Sequence, residues 1–318
     1  MRVLVTGANG FIGSALRTAL ARHGMAVRGA VRAVNASGAS NTPCVVVGGV
    51  TEQTDWSAAL TDMEVVIHLA ARVHVMHDTA ADPLAEFRKT NVAATEHLAR
   101  SASAAGVKRL VYVSSIGVNG LFTGEGKKFS ETDIPNPHNA YAVSKWEAEQ
   151  VLERIARETG LQTVIVRPPL VYGGGVPGNF AQMLGVIAKG IPLPFASIHN
   201  RRSLVYVENL ADALIACATH PAAAGQTYLI CDDEGISTPD LLRRLAAAMG
   251  VPSRLFPCSP ALLRLAGKLT GKSQQLERLL GSLEIDSAKI HRDLNWVPPY
   301  SMQQGLQATG EWYRTKHT

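Results

Sequence analysis

Long apolar runs are missing from this chain of 318 residues; none approaches the roughly 18 that a bilayer-spanning helix needs, so no stable membrane insertion is expected. The opening "MRVLVTGANG" lacks the apolar segment and cleavage site of a secretory leader, which predicts a cytoplasmic protein. Cysteine is scarce. The four present, Cys44, Cys217, Cys231 and Cys258, form no CxxC pair and no metal-type spacing with histidine. Reduced, mostly buried thiols and no metal site are therefore expected. Internal repeats and low-complexity linkers are absent too, although residues 33–43, "AVNASGASNTP", look like an exposed loop. The formal charge is +5, but Lys and Arg are scattered rather than gathered into a patch, which speaks against nucleic acid as a partner.

What is present is a 46% hydrophobic composition, ample for a core, and a first half that alternates short apolar runs with helical patterns. "RVLVTG", "AVRGAV", "CVVVG", "EVVIHLA", "RLVYVSS" and "TVIVRP" read as strands. "IGSALRTALARHG" and "NVAATEHLARSASAAGV" read as helices between them. The pattern predicts an α/β fold, a Rossmann-type doubly wound parallel sheet, over 1–167 with 203–220 returning to it. A smaller C-terminal α/β substrate-binding domain is expected from 168–202 and 221–318, where alternation weakens and loops lengthen.

"TGANGFIG" sets Gly7, Gly10 and Gly13 between the first strand and the first helix. The first glycine allows a tight turn, the second a close approach of backbone to pyrophosphate, the third close packing of helix on strand. In such a unit the second strand ordinarily ends in Asp or Glu, which holds the adenosine ribose. "HGMAVRGAVR" at 23–32 puts Val31 there, with Arg32 beside it. Loss of the carboxylate removes repulsion toward a 2′-phosphate, and a guanidinium can meet that phosphate or stack on adenine. NADP(H) is the expected cofactor, with NAD(H) tolerated.

"YAVSK" spaces Tyr141 and Lys145 by one helical turn, so that a phenol and an ammonium share a face. The phenol's ordinary pKa near 10 is expected to fall beside the cation, an acid/base device. "VYVSSIGVNG" brings Ser114 and Ser115 to the end of the fifth strand, where a hydroxyl can bond the oxygen being converted.

With TGANGFIG, HLAA at 68–71, SSIGVNG, YAVSK, RPPLVYG at 167–173 and DSAKIHRDLNW near the end, the chain resembles an extended short-chain dehydrogenase/reductase, the group of nucleotide-sugar epimerases, dehydratases and reductases. The resemblance covers nearly the whole length. It implies that Tyr141 is the proton donor or acceptor, that Lys145 lowers its pKa and holds the nicotinamide ribose, and that Ser115 orients substrate, with Ser114 the fallback. It also implies Phe11, Ile12, Val50, Leu69, Ala70, Ala71 and Pro168 as cofactor-lining positions, alongside the glycines and Arg32, and matches Asn91 to a structural asparagine. Ser114, Asn119, Asn179, Phe180 and Arg202 fall on substrate-side positions, Arg202 as the diphosphate arginine; the plainer alternative leaves Arg201 and Arg202 solvated. Gly49 replaces an Asp that often contacts adenine in relatives.

His68, His74 and His77 read as core or solvent histidines. The basic amphipathic stretch "LLRLAGKLTGKSQQLERLL" could touch a membrane face, but packing over the substrate cleft is preferred. Relatives dimerise through helices beginning near Pro83 and Tyr141, so a homodimer is expected. At the finest level the motifs look like a subgroup that reduces UDP-linked 4-keto-6-deoxy-N-acetylhexosamines, as in UDP-N-acetylquinovosamine formation for surface polysaccharide and lipopolysaccharide. A nucleotide-sugar substrate and NAD(P)H-dependent 4-keto reduction are therefore expected. A UDP-sugar 4-epimerase is the runner-up, and a non-catalytic dinucleotide-binding protein the distant alternative.

Overall fold

The computed structural model describes residues 1–33, 42–73, 82–271 and 273–317. His74, His77 and most of the 33–43 loop lie outside them. Ten strands are numbered in chain order. β1 (Arg2–Thr6), β2 (Ala26–Val31), β3 (Cys44–Val46), β4 (Val65–His68), β5 (Arg109–Val113), β6 (Gln162–Arg167) and β9 (Thr227–Leu229) form a seven-stranded sheet in the order β3-β2-β1-β4-β5-β6-β9. Every pairing in it is parallel. β7 (Leu170–Tyr172), β8 (Arg202–Tyr206) and β10 (Gly235–Ile236) form a second sheet in the order β10-β8-β7.

The helices are α1 (Phe11–Arg22), α2 (Ser57–Leu60), α3 (Pro83–Arg88), α4 (Ala94–Ala104), α5 (Ala140–Thr159), α6 (Gly178–Ala188), α7 (Val207–Thr219), α8 (Thr238–Ala248), α9 (Pro260–Leu269), α10 (Ser273–Leu280), α11 (Ala288–Leu294) and α12 (Met302–His317). Alternation along the strands divides the interior. On β5, Val111 and Val113 face the core shared with α1 and α7, while Leu110 and Tyr112 face the core under α4 and α5. With both faces covered, the central strands are continuous apolar runs. A third core gathers Phe180, Leu184, Leu241, Leu245, Met302 and Leu306 from α6, α8 and α12.

The six expected strands are all present, and the doubly wound sheet is as predicted. The return to the sheet runs further than residue 220, however. β9 pairs with β6 through Ile165↔Thr227 and Arg167↔Leu229, so this part of the 221–318 segment belongs with the large sheet. Three residues are too few to show a period in sequence. Conversely, residues 203–206 lie in the small sheet on β8, although Val205 joins α7 in the first core.

The α5 helix is fixed to β6 by a buried ion pair. Arg167 donates to both carboxylate oxygens of Glu149, with Nε–Oε1 at 3.0 Å and Nη2–Oε2 at 2.5 Å, and its Nη1 donates to Asn119 Oδ1 at 2.9 Å. Both charged side chains are at most 5% exposed. Glu149→Ala strands the guanidinium without its counter-charge, and urea unfolding should show a loss of about 3–5 kcal/mol. A loss below about 1 kcal/mol, the surface-pair range, would show that water reaches the pair.

Candidate active site

Because the sheet is parallel, β1, β4, β5 and β6 present their C-terminal ends at one edge, and the chemistry-bearing residues collect there. Gly7 turns the chain out of β1 at φ +64°, and a Cβ on it would stand 2.9 Å from Ala70 N. A Cβ on Gly13 would run into the Gly7 carbonyl, so helix and turn meet backbone to backbone. Gly10 precedes α1 with no side-chain cap, and the first-turn amides, those of Phe11 and Ile12 among them, remain an anion site at the positive end of the helix.

Lys145 is 2% exposed, on the face of α5 that meets β5. Its Nζ donates to Val113 O at 2.8 Å and lies 4.5 Å from the Tyr112 ring centroid and 5.9 Å from that of Tyr141. Burial lowers its pKa to about 7, against the opposing pull of Glu149. Tyr141, in the first turn of α5, is half-buried and packs edge-on against Phe87. The expected fall in its pKa is not found: desolvation pushes it up to about 12. Loss of water dominates the shift.

Ser115 begins the single helical turn after β5, and its Oγ accepts from Gly117 N at 3.1 Å. A Cβ on Gly117 would lie 3.3 Å from that oxygen and 3.4 Å from Ala142 Cβ, which places Ser115 beside the start of α5, next to Tyr141. Ser114 is 3% exposed, and its Oγ has no hydrogen-bond partner among the described residues. An unmade bond there costs about 1–3 kcal/mol, and a ligand seated on the sheet edge would supply it. The glycine turn, the uncapped helix and this orphan hydroxyl fit a bound dinucleotide.

Asn91 is a brace. It lies in the π-helical turn Lys89–Ala93, accepts from Arg72 N at 2.8 Å, and donates to Arg72 O and Ser144 Oγ, both at 3.0 Å. Ser144 Oγ in turn donates to Tyr141 O at 2.8 Å. The loop carrying Ala70 and Ala71 is thereby tied to the turn that carries the phenol. Pro168 is buried, and its carbonyl accepts from Ile116 N at 3.0 Å, holding the Ser115 turn to β6. Leu69 and Val50 are partly buried against the two main cores. Val31 is 4% exposed, a core residue, and Arg32 projects from the end of β2 into solvent.

Two substrate-side expectations are corrected. Asn119 spends both ends of its amide internally, donating to Ser130 O at 2.9 Å and accepting from Arg167, so it braces a loop. Phe180 is 4% exposed and stacks on Tyr172 at 6.1 Å in the third core, where its size anchors α6; Asn179 beside it is exposed. Arg202 is partly buried and donates to Arg278 O at 2.7 Å and Gly281 O at 3.1 Å. Burial, and then Arg278, bring its pKa down to about 10. Arg201 instead pairs with Glu284 at 3.1 Å. The basic stretch expected over the cleft is the α9–α10 hairpin, and it stands beside Arg202.

Thr6, Thr95 and Ser144 were not singled out by the sequence, since one hydroxyl within an apolar run carries no pattern. Thr6 Oγ1 accepts from Leu69 N at 3.2 Å and Ala70 N at 3.1 Å. Its proton therefore goes to His68 Nδ1, 2.6 Å away, and His68 Nε2–H donates to Thr95 Oγ1 at 3.0 Å. His68 is thus a neutral core histidine, as expected, with its pKa lowered to about 3 by burial and then by Lys145. No cluster able to hold a metal occurs among the described residues. Of the thiols, Cys217 and Cys231 are buried.

The profile of the NAD dependent epimerase/dehydratase family matches residues 3–231, and the chain belongs to that family. It is 40% identical to a UDP-glucose 4-epimerase of Vibrio cholerae over 97% of this chain and 94% of that one. It is 26% identical to the N-acetyl-alpha-D-glucosaminyl-diphospho-ditrans,octacis-undecaprenol 4-epimerase of Escherichia coli O157:H7, over 96% of this chain and 93% of that one. The structure of a Thermus thermophilus UDP-glucose 4-epimerase complexed with NAD shares the fold, with a TM-score of 0.78 at 24% identity, covering 99% of both chains.

The His68 relay sets a pH dependence. Its folded pKa of about 3 lies below the ordinary 6.5, so the unfolded chain takes up a proton that the folded chain refuses between those values. Stability falls as pH drops through that window by about 1.4 kcal/mol per unit from this group. Since His68→Gln removes the term, urea titrations should show the stability advantage of wild type over the variant shrinking at that slope below pH ~6. A pH-independent difference between the two proteins would mean that the folded histidine is protonated.

Proposed function

We propose that this member of the NAD dependent epimerase/dehydratase family inverts the C4 hydroxyl of a UDP-linked hexose, using NAD that it retains. The observation that carries the reading is the convergence of Ser115, Tyr141 and Lys145 on the edge that also holds the Gly7 turn, in a chain 40% identical to a UDP-glucose 4-epimerase over nearly its full length. When bound, the nicotinamide supplies a group that takes a hydride from C4 and returns it. Tyr141 exchanges the proton of the C4 oxygen, and Ser115 hydrogen-bonds that oxygen. Lys145, one turn along α5, is the neighbouring cation assigned to hold the nicotinamide ribose and to steady the phenol's charge during the exchange. Arg202, with no acidic partner within ion-pair range among the described residues, is assigned to the diphosphate.

The finer expectation, net reduction of a UDP-4-keto-6-deoxy-N-acetylhexosamine with NADPH, is the second reading and rests on Val31 and Arg32. A cytoplasmic homodimer built on the helices that begin near Pro83 and Tyr141, serving surface-polysaccharide precursor synthesis, belongs to the same proposal.

Purified protein supplied with NAD should interconvert UDP-glucose and UDP-galactose, or their N-acetylated counterparts, without net change of absorbance at 340 nm. Tyr141→Phe should slow this by about 10²–10⁴ while leaving dinucleotide binding in place. Stoichiometric NADPH oxidation with a UDP-4-keto sugar, and no interconversion, would transfer the assignment to the second reading.

A further inference from the structure

We propose that the solvent-facing side of α9 is a docking surface for an anionic lipid bilayer. The helix has two apolar sides. Leu263 and Gly267 form the inner one; Leu263 is 6% exposed and clusters with Ile198 and Leu280, and a Cβ on Gly267 would stand 2.7 Å from Leu276 of α10. On the other side, Leu262, Leu265 and Leu269, at helical spacings of three and four, are 60%, 54% and 80% exposed. No described element packs over them. A soluble helix ordinarily needs only the inner stripe, and three adjacent exposed leucines are a cost unless something covers them.

Charge identifies the cover. From Arg254 to Arg278 the sequence carries five Lys or Arg and a single acid, Glu277. Glu277 is already engaged by Arg264 at 3.0 Å. Lys268 lies one turn beyond Arg264 on the shoulder of the leucine face, and Arg254, Lys268 and Arg278 are all exposed. An interfacial helix is built this way: the leucines enter the headgroup boundary while the long basic side chains reach back to anionic phosphates. Nucleic acid would use the charge but leave the leucines wet. A two-fold contact with a second copy would bury the leucines but bring the basic shoulders toward each other. The hairpin flanks Arg202 through the Arg278 and Gly281 carbonyls, so docking turns this side of the cleft toward the membrane whichever sugar is bound.

The test is flotation of the full chain with vesicles of equal parts phosphatidylcholine and phosphatidylglycerol, against phosphatidylcholine alone. Wild type should float with the anionic vesicles, bind the neutral ones at least ~10-fold more weakly, and be released by high salt. The triple variant Leu262→Ser/Leu265→Ser/Leu269→Ser should lose at least ~10-fold in partitioning, with its melting temperature and dinucleotide affinity retained. Lys268→Glu should weaken binding to anionic vesicles alone. The proposal is overturned if wild type stays in solution, or if the triple variant floats as well as wild type. It is equally overturned if the serines convert a wild-type dimer to monomers in sedimentation velocity, which would assign the face to a second copy.

Discussion

The site is organised around one buried amine. Lys145 is nearly sealed from water, and an ammonium there costs several kcal/mol unless groups are arranged to receive it. Three are: the Val113 carbonyl, the face of Tyr112 and, at longer range, Glu149. Glu149 is itself committed to Arg167, Arg167 to Asn119, and Asn119 to the Ser130 carbonyl. The demand of one buried cation is thus passed from α5 to β6 and on to the loop after Ser115. Placing the lysine sets the relative positions of the elements that carry the hydroxyls.

A second network serves the cofactor side. Thr6 gathers Leu69 N and Ala70 N and passes its proton to His68, which bonds Thr95 in turn. The chain locks the ends of β1 and β4 together, where Gly7 and Ala70 approach too closely for any side chain on Gly7. Asn91 then joins the segment after β4 to the first turn of α5 through Ser144. The two networks meet where His68 feels the charge of Lys145 and stacks on Tyr112 at 5.7 Å. The edge at the glycine turn and the edge that carries Tyr141 are thereby tied together, as catalysis by positioning would require.

Much of this was legible in the residues because it depends on local pattern. Strand and helix periods gave the parallel sheet, the glycine spacing gave the turn, and the Tyr141–Lys145 spacing gave the shared helix face. What escaped depends on tertiary context. A polar residue after a motif serine looks like a ligand group, yet Asn119 turns inward because Arg167 needs an acceptor. An aromatic beside an exposed Asn looks the same whether it faces a cleft or a core, and Phe180 faces the core. The direction of the Tyr141 shift could not be read from spacing either: burial raises a phenol's pKa, and residue spacing carries no information about burial.

The missing acid at the end of β2 acquires a different meaning in this setting. Val31 is packed into the core, so the position has been given to stability and not merely emptied of charge. Arg32 is exposed, able to meet a 2′-phosphate but not built to demand one. A protein that epimerises must keep its dinucleotide between the two hydride steps, and without the ribose carboxylate the binding energy has to come from elsewhere. The structure offers the sources: first-turn amides of α1, the orphan Ser114 hydroxyl, and the closely packed Gly7–Ala70 edge. None of these lies at the end of β2, where a 2′-hydroxyl would be told from a 2′-phosphate. Under the proposed epimerisation, retention and cofactor choice would be separable, since an open adenosine end is compatible with a firmly held nicotinamide end.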